Sequence, residues 1–193
     1  MALADQDETD RLVLALRQGD SRAGEALIDV FYDQVFGLCY RLTFNAADAE
    51  DLTQETFLRA FRALAQYQPQ GQFKAWLLKI ATNLFLDEKR SARNRNRDVE
   101  DVGEFARKGP GPEEAAQQGE LMAAVWAGIQ RLSREEQAIL TLRAVEGLDY
   151  GQIAAMLEMK EGTVRWHMYE ARRQLCEMLG ARFDLEEVGG ERE

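Results

Sequence analysis

Leu148-Asp149-Tyr150-Gly151-Gln152-Ile153-Ala154-Ala155-Met156-Leu157-Glu158-Met159-Lys160-Glu161-Gly162-Thr163-Val164-Arg165 reads as two helices meeting at a tight corner. Ile153, Leu157 and Val164 recur at spacings that give the pair one shared core. Ala154 stands where the two helices approach too closely for a larger side chain. The second helix begins near Glu161, so its first turn is placed to enter a DNA major groove. At about 100° per residue, Val164, Met168, Ala171 and Leu175 share one apolar stripe. The opposite arc carries Thr163, Trp166, Tyr169, Glu170 and Arg173, flanked by Arg165 and Arg172. Hydroxyl, aromatic and guanidinium groups are the kinds that read base edges and hold phosphates. A plain helical hairpin with a solvated face carries the same pattern, so spacing alone leaves both readings open. Glu158 occupies the corner, where glycine costs least.

Upstream, nearly every segment shows apolar residues at three- and four-residue steps. The pattern predicts a first helix over about Thr9–Gln18, stopped at Gly19, and a second capped by Asp20 or Ser21 and running to Leu42, where Leu27, Phe31, Val35 and Leu38 are buried. Asn45 is expected to break it. A third helix from Ala47 to about Gln66 keeps Ala49, Leu52, Thr53, Thr56, Phe57, Ala60, Phe61 and Leu64 on one face. Pro69 and Gly71 make Tyr67–Gln72 a loop. A fourth helix from Phe73 to Arg93 buries Trp76, Leu77, Ile80 and Leu84. Periodicity fails from Asn94 to Pro112, a flexible linker, and then resumes over about 113–131, 133–145, 149–157 and 161–179. Ser133 and Glu136 have capping-box spacing. The expected fold is all-α, with two helical domains over 10–94 and 113–180, a linker over 95–112 and an acidic tail over 181–193.

The chain of 193 residues carries a net charge of −10, which disfavours unaided binding to duplex DNA. That charge is uneven. Residues 72–97 hold 7 basic and 2 acidic side chains, a basic island in an acidic chain. Such a distribution suits a protein delivered to nucleic acid by a partner. Apolar runs such as Trp76-Leu77-Leu78 are too short to cross a bilayer, and the acidic N-terminus has no cationic apolar leader, so a cytoplasmic protein without membrane insertion is expected. Cys39 and Cys176 are expected to be reduced and partly buried, although a disulfide between them is formally open. With one histidine and no CxxC or HExxH, neither a metal site nor another cofactor is expected. No nucleophile–base pair or glycine-rich phosphate loop can be assembled, so no enzyme is expected.

Three blocks in order resemble the extracytoplasmic-function sigma factors, the two-domain group 4 of the sigma-70 family. Asp48-Ala49-Glu50-Asp51-Leu52-Thr53-Gln54-Glu55-Thr56-Phe57-Leu58-Arg59-Ala60-Phe61 and Phe73-Lys74-Ala75-Trp76-Leu77-Leu78-Lys79-Ile80-Ala81-Thr82-Asn83 resemble that family's region 2. Gly162-Thr163-Val164-Arg165 and Ala171-Arg172-Arg173-Gln174-Leu175 resemble its region 4. The resemblance covers roughly residues 10–178. It implies an alternative sigma factor that binds core RNA polymerase and directs promoter-specific initiation. Asp51, Gln54 and Glu55 match the contact positions for the clamp helices of the largest polymerase subunit, and their spacing puts them on one exposed helical face.

The Gln66–Gln72 loop, Asn83 and the start of the fourth helix match the family's reader of the minus-10 element. Tyr67 and Phe73 are candidates to stack on or wall in a base, and Lys74 and Lys79 to hold phosphates. Phe73 and Trp76 equally suit a core, and Asn83 a buried tie between helices. Lys89 and Arg90, with Arg93, Arg95 and Arg97, suit duplex phosphates. Thr163, Arg165, Trp166, Tyr169 and Arg173 are the minus-35 candidates. Trp166, His167 and Glu170 depart from the family's frequent residues, which weakens the expected phosphate clamp. Such factors are commonly held inactive by an anti-sigma factor. The contrasting expectation, a dimeric helix-turn-helix repressor acting without polymerase, requires a ligand-binding or phosphoacceptor domain that the N-terminal half does not show.

Overall fold

The computed structural model describes residues 6–68, 72–87 and 112–183. Among them are eight α-helices, one 3-10 turn and no strand. The fold is all-α, in two compact units, Met1–Val99 and Glu100–Glu193. No described helix is long and apolar enough to cross a membrane.

The first unit is built from α1 (Gln6–Arg17), α2 (Ser21–Thr43), α3 (Ala46–Ala63) and α4 (Phe73–Asp87), with the 3-10 turn Leu64–Gln66 closing α3. Gly19, at φ 95°, turns the chain out of α1, and the Asp20 side chain accepts from the Arg22 N–H to start α2. The break after α2 is made by Phe44, which adopts the left-handed conformation (φ 55°) and donates its N–H to the Tyr40 carbonyl. Asn45 then acts forward, accepting from the Asp48 N–H at 2.9 Å as the N-cap of α3. Leu27, Leu38, Leu42, Ala49, Phe73, Leu77, Ala81 and Phe85 form the core where α2, α3 and α4 meet. Thr53, Thr56 and Thr82 are fully buried in it because each hydroxyl donates to the carbonyl four residues back, at 2.7 to 2.8 Å.

The second unit contains α5 (Pro112–Ile129), α6 (Arg134–Ala144), α7 (Tyr150–Leu157) and α8 (Glu161–Phe183). Ser133 and Glu136 form the expected capping box, each bonding the other's backbone N–H. Gln137, fully buried, donates its amide to the carbonyls of Ile129 and Leu132, both at 3.0 Å, and so seals the end of α5. Helices α5 and α8 touch at Gly128, where an added Cβ would lie 2.9 Å from Leu175 Cδ2.

Several expectations need correction. Helix α3 ends at Ala63 and tightens into 3-10 geometry instead of running on to Gln66. Helix α8 continues through Gly180 to Phe183, into the expected tail. Pro112, assigned to the linker, is the first residue of α5, a position proline favours. Ile80, Trp76 and Leu175, expected to be buried, are half-buried. Cys39 is fully buried, and Cys176, expected to be partly buried, is exposed; both are free thiols. Residues 88–111, with Lys89, Arg90, Arg93, Arg95, Arg97 and the rest of the linker, lie outside the described residues, as does the tail beyond 183.

Candidate polymerase and nucleic-acid interfaces

On α3 the buried face, Ala49, Leu52, Thr53, Thr56, Phe57 and Ala60, fixes the direction of the rest. Asp51 and Gln54 are exposed and Glu55 is half-buried, all turned away from the core as the spacing predicts. Glu55 Oε1 accepts from Arg59 Nε at 2.7 Å. Leu58 shares this face, seven residues beyond Asp51, and is 50% exposed. The face is therefore an apolar residue set among carboxylate, amide and guanidinium groups, a mixture that protein interfaces favour over either extreme. Sequence reading missed Leu58, because a leucine beside an apolar stripe is indistinguishable from part of it until the partner helices are in place.

The second set splits in two. Tyr67 and Phe73, expected to stack on or wall in a base, with a core place equally open to Phe73, are 6% and 1% exposed. Phe73 packs on Phe31, with ring centroids 5.4 Å apart, while Tyr67 meets Phe73 edge-on at 5.3 Å and Trp76 at 5.0 Å. Of the alternatives, burial favours walls over stacking: the two rings are held by their neighbours and present no open face for stacking. Trp76, Ile80 and Asn83, at steps of four and three, form a half-buried strip on α4 that Lys79 joins. Lys74 sits about 140° from Lys79 around the helix, so the two lie on different faces of α4.

On the helix-turn-helix, Asp149 and Gln152 close a second capping box, with bonds of 2.8 and 2.9 Å, which the sequence reading did not identify. Glu158 takes the left-handed corner at φ 56°, and its N–H goes to the Ala154 carbonyl. Ile153, Val164, Met168 and Ala171 are buried. That packing turns Thr163, Arg165, Trp166, Tyr169 and Arg173 to solvent, with Trp166 58% and Tyr169 66% exposed.

The two arginines differ in their surroundings. Arg165 bonds Glu161 Oε1 through Nε at 3.0 Å and Nη2 at 2.6 Å, and its guanidinium lies 4.6 Å from the Tyr150 ring centroid. Arg143 approaches the same ring at 5.3 Å. Arg173 is gripped by both Glu170 and Glu177, and its guanidinium holds Glu170 below the ordinary carboxylate range. Glu170 and Gln174 extend this network to the capping-box Glu136, which accepts from Gln174 Nε2 at 3.2 Å. Around Arg173, carboxylates outnumber the cation.

Residues 27–95 match the Sigma-70 region 2 family, and residues 122–175 match Sigma-70, region 4. The chain is 34% identical over 183 residues to the RNA polymerase sigma-H factor of Pseudomonas aeruginosa, covering 90% of this chain and 95% of that protein. It is 42% identical over 157 residues to the ECF RNA polymerase sigma factor SigE of Mycolicibacterium smegmatis, covering 80% of this chain but only 61% of SigE. Among solved structures, the sigma factor RpoE from Bartonella quintana, crystallised with the anti-sigma factor NepR, shares the fold. Its TM-score is 0.63 at 20% identity, over 82% of this chain and 97% of that one. Two helical units, a helix-turn-helix in the second and matches to both regions together make this chain a member of the extracytoplasmic-function sigma factors of the sigma-70 family.

Proposed function

We propose that this chain binds core RNA polymerase in the cytoplasm and directs it to promoters through two separate DNA readers, in domains 10–94 and 112–183 joined by residues 95–111. The observation that carries this is the exposed, aromatic- and arginine-bearing arc of α8, set on a fully packed helix-turn-helix. Asp51, Gln54 and Glu55, with Leu58, meet the clamp helices of the largest polymerase subunit. Lys74, Lys79 and Asn83, with Lys89 and Arg90 further along, contact the minus-10 element over an aromatic base made by Tyr67 and Phe73. Thr163, Arg165, Trp166 and Tyr169 contact the minus-35 element, and Arg173 is the weakest of that set because its carboxylates compete with phosphate. An anti-sigma factor regulates it, a reading supported by the complex in which the structurally similar RpoE was solved.

The test uses purified core polymerase. The chain should be retained by the polymerase and should give run-off transcripts from the promoter upstream of its own gene. Replacing Asp51, Gln54 and Glu55 together by alanine should preserve helical content and lower polymerase affinity. Normal binding by that variant would remove α3 from the interface.

A further inference from the structure

Helix α1 is short, packs on α2 and reaches the 3-10 turn Leu64–Gln66. Its last residue, Arg17, makes that contact specific. Arg17 Nε and Nη2 donate to the Leu64 carbonyl at 3.1 and 2.7 Å, and Nη2 also donates to the Tyr67 carbonyl. The Leu64 carbonyl also accepts the Tyr67 N–H at 3.2 Å, so Arg17 takes its second lone pair, and carbonyls at a helix end carry the negative end of the helix dipole. A planar guanidinium can serve two of them at once, which a lysine ammonium cannot do in a fixed plane. Tyr67 is where the backbone leaves the turn and becomes extended, at φ −69° and ψ 133°.

Tyr67 is thus fixed twice. Arg17 holds its carbonyl, and Phe73 and Trp76 hold its ring. Phe73, the first residue of α4, is itself anchored on Phe31 in the core. The exposed Gln68 and Gln72 follow and precede these two anchors directly, and half-buried Trp76 packs on both anchor rings, with centroids 5.0 Å from Tyr67 and 5.7 Å from Phe73. We infer that Arg17 is a positioning residue for the minus-10 reader: from a different helix, it sets where the backbone presents Gln68, Gln72 and the Trp76 edge to DNA. The role rests on the reading of this unit as the minus-10 reader. Nothing in the sequence marks Arg17, since its partners are backbone carbonyls 47 and 50 residues away.

Holoenzyme reconstituted with full-length Arg17→Ala, Arg17→Lys or Asn83→Ala chains is given a promoter library randomised at both elements, with the thermal midpoint of each chain recorded. Arg17→Ala should broaden base preference at the minus-10 element and lower output from the best promoters roughly tenfold, the size of losing charge-assisted bonds of this kind. Preference at the minus-35 element should stay as in the wild type. Arg17→Lys, which keeps a donor but not the fork, should fall between the two. If the alanine chain does not fold, the lysine chain carries the same comparison. A uniform fall in output with both preference profiles intact would mean that Arg17 only stabilises the fold, and an unchanged minus-10 profile would likewise overturn the role. Failure of Asn83→Ala as well as Arg17→Ala to move that profile would refute the minus-10 reading itself, and the Arg17 role with it; movement by Asn83→Ala alone refutes only Arg17.

Discussion

Cys39 and Cys176 show how far environment separates two copies of one residue type. Cys39 lies fully inside the first unit, and burial pushes its thiol up to about 11 from the ordinary 9.0, although a hydrogen bond with Thr53 pulls the other way. Cys176 is exposed. A thiol reagent at neutral pH should therefore modify Cys176 quickly and Cys39 only after unfolding, counted by mass spectrometry with and without denaturant. Because the folded value is raised, the contribution of the neutral thiol is intact below about pH 9 and is lost as pH climbs towards 11, about 2–3 kcal/mol in total. Between about pH 8 and pH 10.5, urea unfolding should show the wild type losing stability relative to Cys39→Ala; parallel curves would place Cys39 in a more polar setting than its burial indicates. Arg165 poses a different contest. Its exposed ion pair with Glu161 is worth about 0.3–0.5 kcal/mol, whereas a bidentate contact to guanine discriminates by about 1–3 kcal/mol. Under the proposed function, DNA wins that exchange. Arg165→Ala should relax selection at a base of the upstream element by about that larger amount, read from transcription of a randomised library. A uniform drop across the library would make Arg165 a phosphate contact.

Helix α7 has only eight residues and depends on its ends. Its N-terminus is closed by reciprocal Asp149–Gln152 bonds, and its C-terminus by Glu158 in a left-handed conformation that costs a non-glycine residue something. Asp149→Ala should destabilise the second unit by about 0.5–2 kcal/mol, while Asp149→Asn, which keeps an acceptor, should stay within a few tenths. Urea unfolding followed by Trp126 and Trp166 emission measures this. Equal effects from the two substitutions would show that the cap contributes little. On α3 and α8 the helical period alone gave the outward direction of Asp51, Gln54, Arg165, Trp166 and Tyr169. It left Phe73 open between core and base contact and could not give the burial of Tyr67. Those residues lie just after the 3-10 turn and at the start of α4, and what covers such ends is decided by helices distant in sequence, here α2 through Phe31 and α1 through Arg17.

A net charge of −10 over 193 residues opposes the approach of any free copy to a polyanion. The exposed arc of α8 adds to this locally, since Glu161, Glu170 and Glu177 accompany its arginines. The isolated chain should therefore bind promoter duplex weakly at physiological salt, with specific binding appearing on addition of core polymerase. Fluorescence anisotropy with and without polymerase tests this, and submicromolar specific binding by the chain alone would contradict the two-reader mechanism.

Composition, a 3.6-residue period and three ordered blocks were enough to determine an all-α chain, its helices, its helix-turn-helix and its family. Each of these follows from short-range sequence, where the side chains that define a helix face or cap lie within a few residues. Tertiary structure alone decided that Phe73 and Tyr67 are walls, that Leu58 stands exposed on the α3 face, that Arg173 is held by two carboxylates and that Arg17 grips the carbonyls of Leu64 and Tyr67. Burial at the ends of helices depends on which distant helices close over them. A backbone carbonyl is the same in every residue, so a bond to one leaves no mark in the sequence of the residue that accepts it.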